Sequence, residues 1–322
     1  MDSLAFEILA VIFRYRRSLE DAHEERHFCE QCNFPHIQRI QEFISKNEPI
    51  HFVLPAFPAK SPNLKKVIGK LPDLGEVVAL RFLNEICNEI KTLYSAGAKI
   101  TICSDGRVFN DLLRVRDDDV SAYTKEISKI ISDEELINLN TFDLDHHSNF
   151  LAFDDMRSKL TSRYGYTTEQ IREIIKTKPR ELSTFNGIER FLIEDFLYLE
   201  PTLSKNAVRK LCHELAYRVV QRSHAWSALV SERFSNSVRL SIHPQPCHFE
   251  KIGICLVPTK DNWLTPWHGT AVKIGEKITL MKRFQAEELG AKLIYNQEKP
   301  AYFELSPADA VKNSISSADM RF

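Results

Sequence analysis

No stretch of this 322-residue sequence approaches the roughly 20 consecutive apolar residues that a membrane-spanning helix needs, so none is expected. Neither sign of charge dominates: 43 Lys and Arg stand against 44 Asp and Glu, interspersed rather than in blocks, which argues against a nucleic-acid partner. Glycine and proline are modest at 10 and 14, and repeats and low-complexity tracts are missing, so disorder is not indicated. Cysteine is sparse: the seven thiols, an odd number, lack the density of a disulfide framework and are expected to be reduced. The opening MDSLAFEILAVIFRYRRSLEDA carries acidic residues where a secretory signal carries basic ones, which fits a cytoplasmic protein. Walker A, GxGxxG, HExxH, GxSxG and EF-hand patterns are also missing, so nucleoside triphosphates, dinucleotides and the common hydrolytic motifs have no support. A cofactor-free mechanism is favoured.

What is present is a globular composition, 43% hydrophobic and 27% charged, long enough for one large α/β domain or a main domain with an appendage. Leu4, Ile8, Ile12 and Phe13, then Ile37, Ile40 and Phe43, recur at helical spacing and predict two helices packed on a sheet. Residues 50–57 (IHFVLPAF) form a short apolar run ended by prolines, which suits a strand buried on both faces. Residues 74–97 turn helical through Leu80, Leu83, Ile86, Ile90 and Leu93, with Gly97 as the stop, and KITIC (99–103) is the next strand. This alternation predicts a Rossmann-like α/β fold with a mostly parallel central sheet flanked by helices, whose ligands gather beyond the carboxyl ends of the strands. Residues 121–218 read as a helical insertion or lid, with helix starts near Thr167 and Ser204, so that 1–120 and 219–322 make up the α/β core. Strand character returns at 237–243 (SVRLSIH), 251–257 (KIGICLV) and around Tyr302.

Four polar clusters stand beside these strands. Lys60-Ser61-Pro62-Asn63, with Lys65 and Lys66 close behind, could hold a phosphate or could be a solvated proline turn. Ser104-Asp105-Gly106-Arg107 offers a hydroxyl, a carboxylate, a tight backbone approach and a two-pronged anion grip, though Asp-Gly is also an ordinary turn. Arg222 and Trp226, one helical turn apart, could set a cation beside an aromatic wall, with His224 between them; core packing of the indole is the alternative. Arg239, Ser241 and His243 alternate on a strand and would share one face, combining an anion partner, a hydroxyl and a proton carrier. Trp267-His268 adds an indole and a second imidazole. Finally, Cys29 and Cys32 with His23 and His27 could ligate zinc or could be plain helix-end cysteines.

Taken together, FVLPAFPAKSPN (52–63), LPDLGE (71–76), GAKITICSDGRVFND (97–111), VRLSIHP (238–244) and TPWH (265–268) resemble the pyoverdine/dityrosine biosynthesis family, the isocyanide synthases. The likeness runs in order over residues 29–305 and includes the segment from Cys29 to His36. It implies a Rossmann-like fold and a reaction in which ribulose 5-phosphate supplies the isonitrile carbon to the α-amine of an aromatic amino acid, tyrosine before tryptophan. The amine condenses with the C2 ketone, and the imine then loses phosphate and breaks carbon–carbon bonds. Neither nicotinamide nor metal is implied, and an iron/2-oxoglutarate oxygenase is the implied pathway partner. On this reading Lys60, Ser61, Asn63, Arg107, Arg222, Trp226, Arg239, Ser241 and Trp267 bind substrate, while His243, then His268 and His224, with Ser104 and Asp105, serve the chemistry. RSHAWS (222–227) departs from the family's more acidic, tyrosine-containing version, so substrate choice is an alternative role for His224 and Trp226. A sugar-phosphate aldolase or isomerase, or a non-catalytic metabolite-binding protein, would use the same polar edge. All require Lys60, Arg107 and His243 to meet at one rim.

Overall fold

The computed structural model describes residues 3–18, 30–147, 151–246, 249–261 and 263–312. Cys29, His23 and His27, and the side chain of Cys32, lie outside the described residues. Helices α1 (Ser3–Phe13) and α2 (Glu30–Ser45) precede β1 (Ile50–Leu54), which is buried except for half-buried His51, as its apolar run requires. A proline-rich loop leads to Asp73, which caps α3 (Leu74–Leu93). Its carboxylate accepts from the Gly75 N–H while the Glu76 carboxylate accepts from the Asp73 N–H, a reciprocal capping box. The helix ends at Leu93 rather than running to Gly97. Gly97, with φ 69°, instead turns the chain into β2 (Ala98–Cys103) and donates its N–H to the Tyr94 carbonyl.

The short α4 (Gly106–Phe109) and α5 (Asp117–Asp133) lead to β3 (Leu139–Phe142). Then come α6 (Leu144–His147), α7 (Phe153–Tyr164), α8 (Thr168–Thr177), α9 (Pro179–Leu199) and α10 (Lys205–Arg233), with Thr167 and Ser204 as caps of α8 and α10. The segment expected to be a helical insertion thus contains a strand, and its uninterrupted helical part begins only after β3. Next, β4 (Val238–Ser241) and β5 (Lys251–Gly253) complete a five-stranded, all-parallel sheet in the order β3-β2-β1-β4-β5. This is the strand order of a doubly wound nucleotide-fold sheet, whose topological switch point falls between β1 and β4. A 3-10 turn (Pro266–His268) leads to β6 (Thr270–Ile274), β7 (Lys277–Met281), α11 (Arg283–Glu288), β8 (Lys292–Asn296), β9 (Lys299–Leu305) and α12 (Pro307–Lys312). The four late strands form a second, mixed sheet in the order β7-β6-β9-β8, of which the sequence disclosed only the stretch around Tyr302.

Apolar packing follows these layers. One cluster joins α1, α2, α3 and α5 to one face of the main sheet, and a second joins α7 and α10 to the other through Val53, Phe142, Trp226 and Leu229. Helices α8, α9 and α10 share a third core around Ile171, Leu192, Phe196 and Cys212, so the helical layer over the sheet edge holds together by itself.

His51 sits in β1 with its Nε2 2.8 Å from the Thr101 hydroxyl, and burial, aided by Lys99, lowers its pKa to about 4. A group depressed on folding contributes stability that is present above its unfolded pKa and lost as pH falls towards the folded value. The stability gap between the wild type and His51→Gln is therefore expected to shrink between pH 6.5 and about 4, by on the order of 2–3 kcal/mol, in urea melts run side by side. A constant gap would mean the imidazole does not titrate this way.

Candidate active site

The loop after β1 brings Lys60 inward rather than to solvent. Its ammonium lies 2.7 Å from Asp73 Oδ2 and 2.9 Å from Glu76 Oε2, and it donates to the Pro266 carbonyl at 2.9 Å. Burial opposes the charge on Lys60, but Asp73 and Glu76 hold its pKa above the usual lysine value. Glu76 is raised to about 7, by burial against the pull of Lys60, with the neighbouring Asp73 adding to the rise; the Tyr123 hydroxyl donates to its other oxygen at 3.1 Å. The carboxylates that cap α3 thus also neutralise Lys60, and this cation is not free to grip a phosphate.

Beyond Lys60 the loop is filled by a residue of the helical layer. Asp195 of α9 accepts from Asn63 Nδ2 at 3.1 Å and from the Ser61 hydroxyl at 3.4 Å, and it pairs with Lys66 at 2.6 Å. Ser61 and Asn63 do converge on an anion as the sequence suggested, but here that anion is a side chain of the protein. Lys60, Ser61 and Asp195, together with His268, Phe191, Asn110 and Gly106, line a small, partly open cleft of about 30 Å³. The cleft lies at the carboxyl end of the sheet, where ligands of such folds gather.

The loop after β2 faces the same way. Ser104 donates its hydroxyl to the Phe57 carbonyl at 2.9 Å, tying the two loops together. A Cβ at Gly106 would lie 1.9 Å from the Pro58 carbonyl oxygen, so only glycine permits this approach. Asp105, half-buried, makes no side-chain cap to α4, and burial raises its pKa to about 7 against the hydrogen bond from its own backbone N–H. Arg107, by contrast, turns away. Its guanidinium binds Asp117 at 2.7 Å and the Ser121 hydroxyl at 2.7 Å, reaches Asp145 at 3.3 Å, and lies 3.7 Å from the Phe153 ring centroid. Of Lys60, Arg107 and His243, expected to meet at one rim, only Lys60 lines the cleft, and the charges of Lys60 and Arg107 are both committed to carboxylates of the fold.

His268 lines the cleft between Phe191, at 4.8 Å between ring centroids, and Trp267, at 6.2 Å, with Nδ1 3.2 Å from the Thr265 hydroxyl. Trp267 itself is buried against Phe57, so it positions the imidazole rather than contacting solvent. Burial, then Lys66 and His243, keep His268 well below the ordinary histidine pKa. His243 is exposed, with its ring 5.6 Å from that of Trp263; crowding by neighbouring protein and Arg17 lower its pKa to about 4. Both imidazoles are thus neutral proton acceptors at neutral pH. Ser241 accepts from the His243 N–H at 3.2 Å and from Gln245 Nε2 at 3.0 Å, and so shapes the turn that carries His243.

Arg222 pairs with Asp111 through both terminal nitrogens and donates to the Val108 carbonyl, and Trp226 stacks on Phe142 at 5.9 Å inside the core; the pair is packing, not an open aromatic wall. His224 contacts Glu181 of α9 at 3.3 Å and the Tyr166 ring edge-on. Of the four cations expected to anchor substrate, Arg239 alone has no carboxylate in ion-pair contact among the described residues: its partners are Ser227 and Ser231 of α10.

Residues 40–294 match the family described as pyoverdine/dityrosine biosynthesis protein. The chain belongs to that family. Among curated relatives it is 47% identical to the L-tryptophan isonitrile synthase AmbI2 of Fischerella ambigua, over 92% of this chain and 90% of that protein. It is 42% identical to an L-tyrosine isonitrile synthase of Pseudomonas aeruginosa, over 97% of each. The crystal structure of PvcA from Pseudomonas aeruginosa superposes with a TM-score of 0.88 at 40% identity, covering 94% of this chain and all of that one. Among the described residues no helix is long and apolar enough to cross a membrane.

Within this member of the family, sequence reasoning missed Asp73, Glu76, Tyr123, Phe191, Asp195 and Lys251. Only Asp73 and Glu76 carried a readable signal, the Asp-x-x-Glu spacing of a capping box before an apolar run. Asp195 looks like any charge in an amphipathic helix, and its contact with Asn63 spans 132 residues of chain.

Proposed function

We propose that this enzyme converts the α-amine of an aromatic L-amino acid into an isonitrile, with ribulose 5-phosphate as the carbon donor. What supports this reading is His268 lining the cleft at the carboxyl end of the sheet, with His243 near enough to act on its titration and Asp105 on the loop after β2 as a third candidate proton-transfer group. Condensing an amine with a ketone requires one proton to leave the ammonium and another to reach the departing hydroxyl, and the later bond cleavages require O–H and C–H protons to be removed. Asp105, near 7, suits either direction of transfer, and the two neutral imidazoles suit acceptance. Arg239 remains to balance a substrate anion. Tryptophan now stands before tyrosine, because identity to the tryptophan enzyme is the higher of the two, 47% against 42%. The product suits an iron/2-oxoglutarate oxygenase acting next, in the cytoplasm.

Purified protein incubated with ribulose 5-phosphate and either L-tryptophan or L-tyrosine is expected to release the corresponding isonitrile, weighed by mass spectrometry after trapping. Consumption of the sugar phosphate with no amino acid present would point to an aldolase or isomerase instead. Binding of both compounds without product would point to a non-catalytic protein.

A further inference from the structure

Arg239 and Lys251 are direct partners across β4 and β5, and both side chains reach the same serine of α10. Arg239 donates to the Ser227 hydroxyl at 3.3 Å, to the Ser227 carbonyl at 3.5 Å and to the Ser231 hydroxyl, and Lys251 donates to the Ser227 hydroxyl at 3.2 Å. Arg239 is only 9% exposed, and its Nε is buried without any partner. No carboxylate among the described residues comes within ion-pair distance of either cation; Glu250 acts on them only at longer range, and Glu181 is engaged with His224. Both hydroxyls already accept from these cations, which leaves their O–H groups free to donate.

Two like charges side by side and largely out of water repel each other and lose hydration. The strain shows in the titration of both: burial lowers Arg239, and burial with Arg239 lowers Lys251 to about 8. Other buried cations are matched by carboxylates, among them Lys60 with two and Arg157 with three acidic partners. A pair left unmatched is therefore a place for a negative charge from outside. An α-carboxylate would satisfy one guanidinium, whereas two cations and two hydroxyl donors match a dianion with several oxygens.

We propose that Arg239, Lys251, Ser227 and Ser231 form a phosphate subsite that holds the phosphate monoester of the sugar donor, with Lys251 as its second cation. The assignment rests on the sugar-phosphate reading above. It places the donor's charged end between α10 and β4/β5, near the α9 residues Arg180 and Glu181 that also act on Lys251. The Ser61–Asn63 loop, by contrast, already has Asp195 as its anion.

Inorganic phosphate titrated calorimetrically into the full-length protein is expected to bind the wild type, to bind Lys251→Gln at least about tenfold more weakly, and to bind Lys251→Arg nearly as well as the wild type. In steady state, Lys251→Gln is expected to raise KM for ribulose 5-phosphate about tenfold or more while leaving KM for the aromatic amino acid within about twofold. Phosphate binding that is absent from the wild type, or equal in Lys251→Gln, overturns the subsite. A rise confined to the amino-acid KM also overturns it, by assigning the cations to the α-carboxylate. If ribulose 5-phosphate yields no isonitrile at all, the donor reading fails, and the calorimetric comparison still decides whether a phosphate site exists. Circular dichroism melts of the three proteins confirm that each is folded.

Discussion

Replacing Lys60 with methionine is expected to lower the free energy of unfolding by about 3–5 kcal/mol, a large part of the stability of a typical domain. The ammonium is wholly enclosed and neutralises Asp73 and Glu76, whose side chains are 1% and 0% exposed. Methionine fills the volume but leaves both carboxylates in a dry space, where they must take up protons or draw in water. The same carboxylates cap α3, so their disturbance reaches the start of that helix. Adding Glu76→Gln to the Lys60→Met variant is expected to recover part of the loss, because an amide needs no counter-charge. Urea unfolding at pH 7.5 measures both. A Lys60→Met protein that is as stable as the wild type but has lost phosphate affinity would reverse the assignment and return Lys60 to the substrate.

Asp105→Asn is expected to cut isonitrile formation by about 10²–10⁴-fold without unfolding the protein. The carboxyl is held near 7 chiefly by burial, so in the wild type it is part ionised and part protonated at physiological pH. With Asp105 as the base, kcat/KM rises with pH through about 7 and then levels, and the asparagine variant loses that limb of the profile. Stability moves the other way. A carboxyl raised on folding contributes stability that is complete below its unfolded pKa and is lost as pH climbs through the folded value. At pH 8 the asparagine variant, with no charge to bury, is therefore expected to be more stable than the wild type by at least about 1 kcal/mol. Lost activity together with lost stability at pH 8 would instead make Asp105 a structural residue.

The elements that place the site were legible because their physics is local. β1 and β2 are largely apolar runs that suit a sheet buried on both faces, β4 alternates apolar with polar residues, and the loops after them fall at the ligand edge by topology alone. β3 escaped notice because LNTF (139–142) is a short edge strand with two polar residues between its two buried apolar ones, inside a charged region. Which cations were free could not be read at all. Lys60, Arg107, Arg222 and Arg239 look alike in sequence, and only folding commits the first three to Asp73 and Glu76, to Asp117, and to Asp111. Conversely, Lys251 gave no signal in its own segment. Its importance comes from lying opposite Arg239 in a neighbouring strand.

The near-contact of Gly106 with the Pro58 carbonyl fuses two chain segments into a single block with no slack between them. Any side chain at 106 would act as a wedge, prising one wall of the chamber from the other. The wall formed by Pro58 and Gly106 therefore keeps fixed dimensions, and any adjustment to the shape of a bound molecule falls to the side chains of the α9 side, such as Phe191 and Asp195.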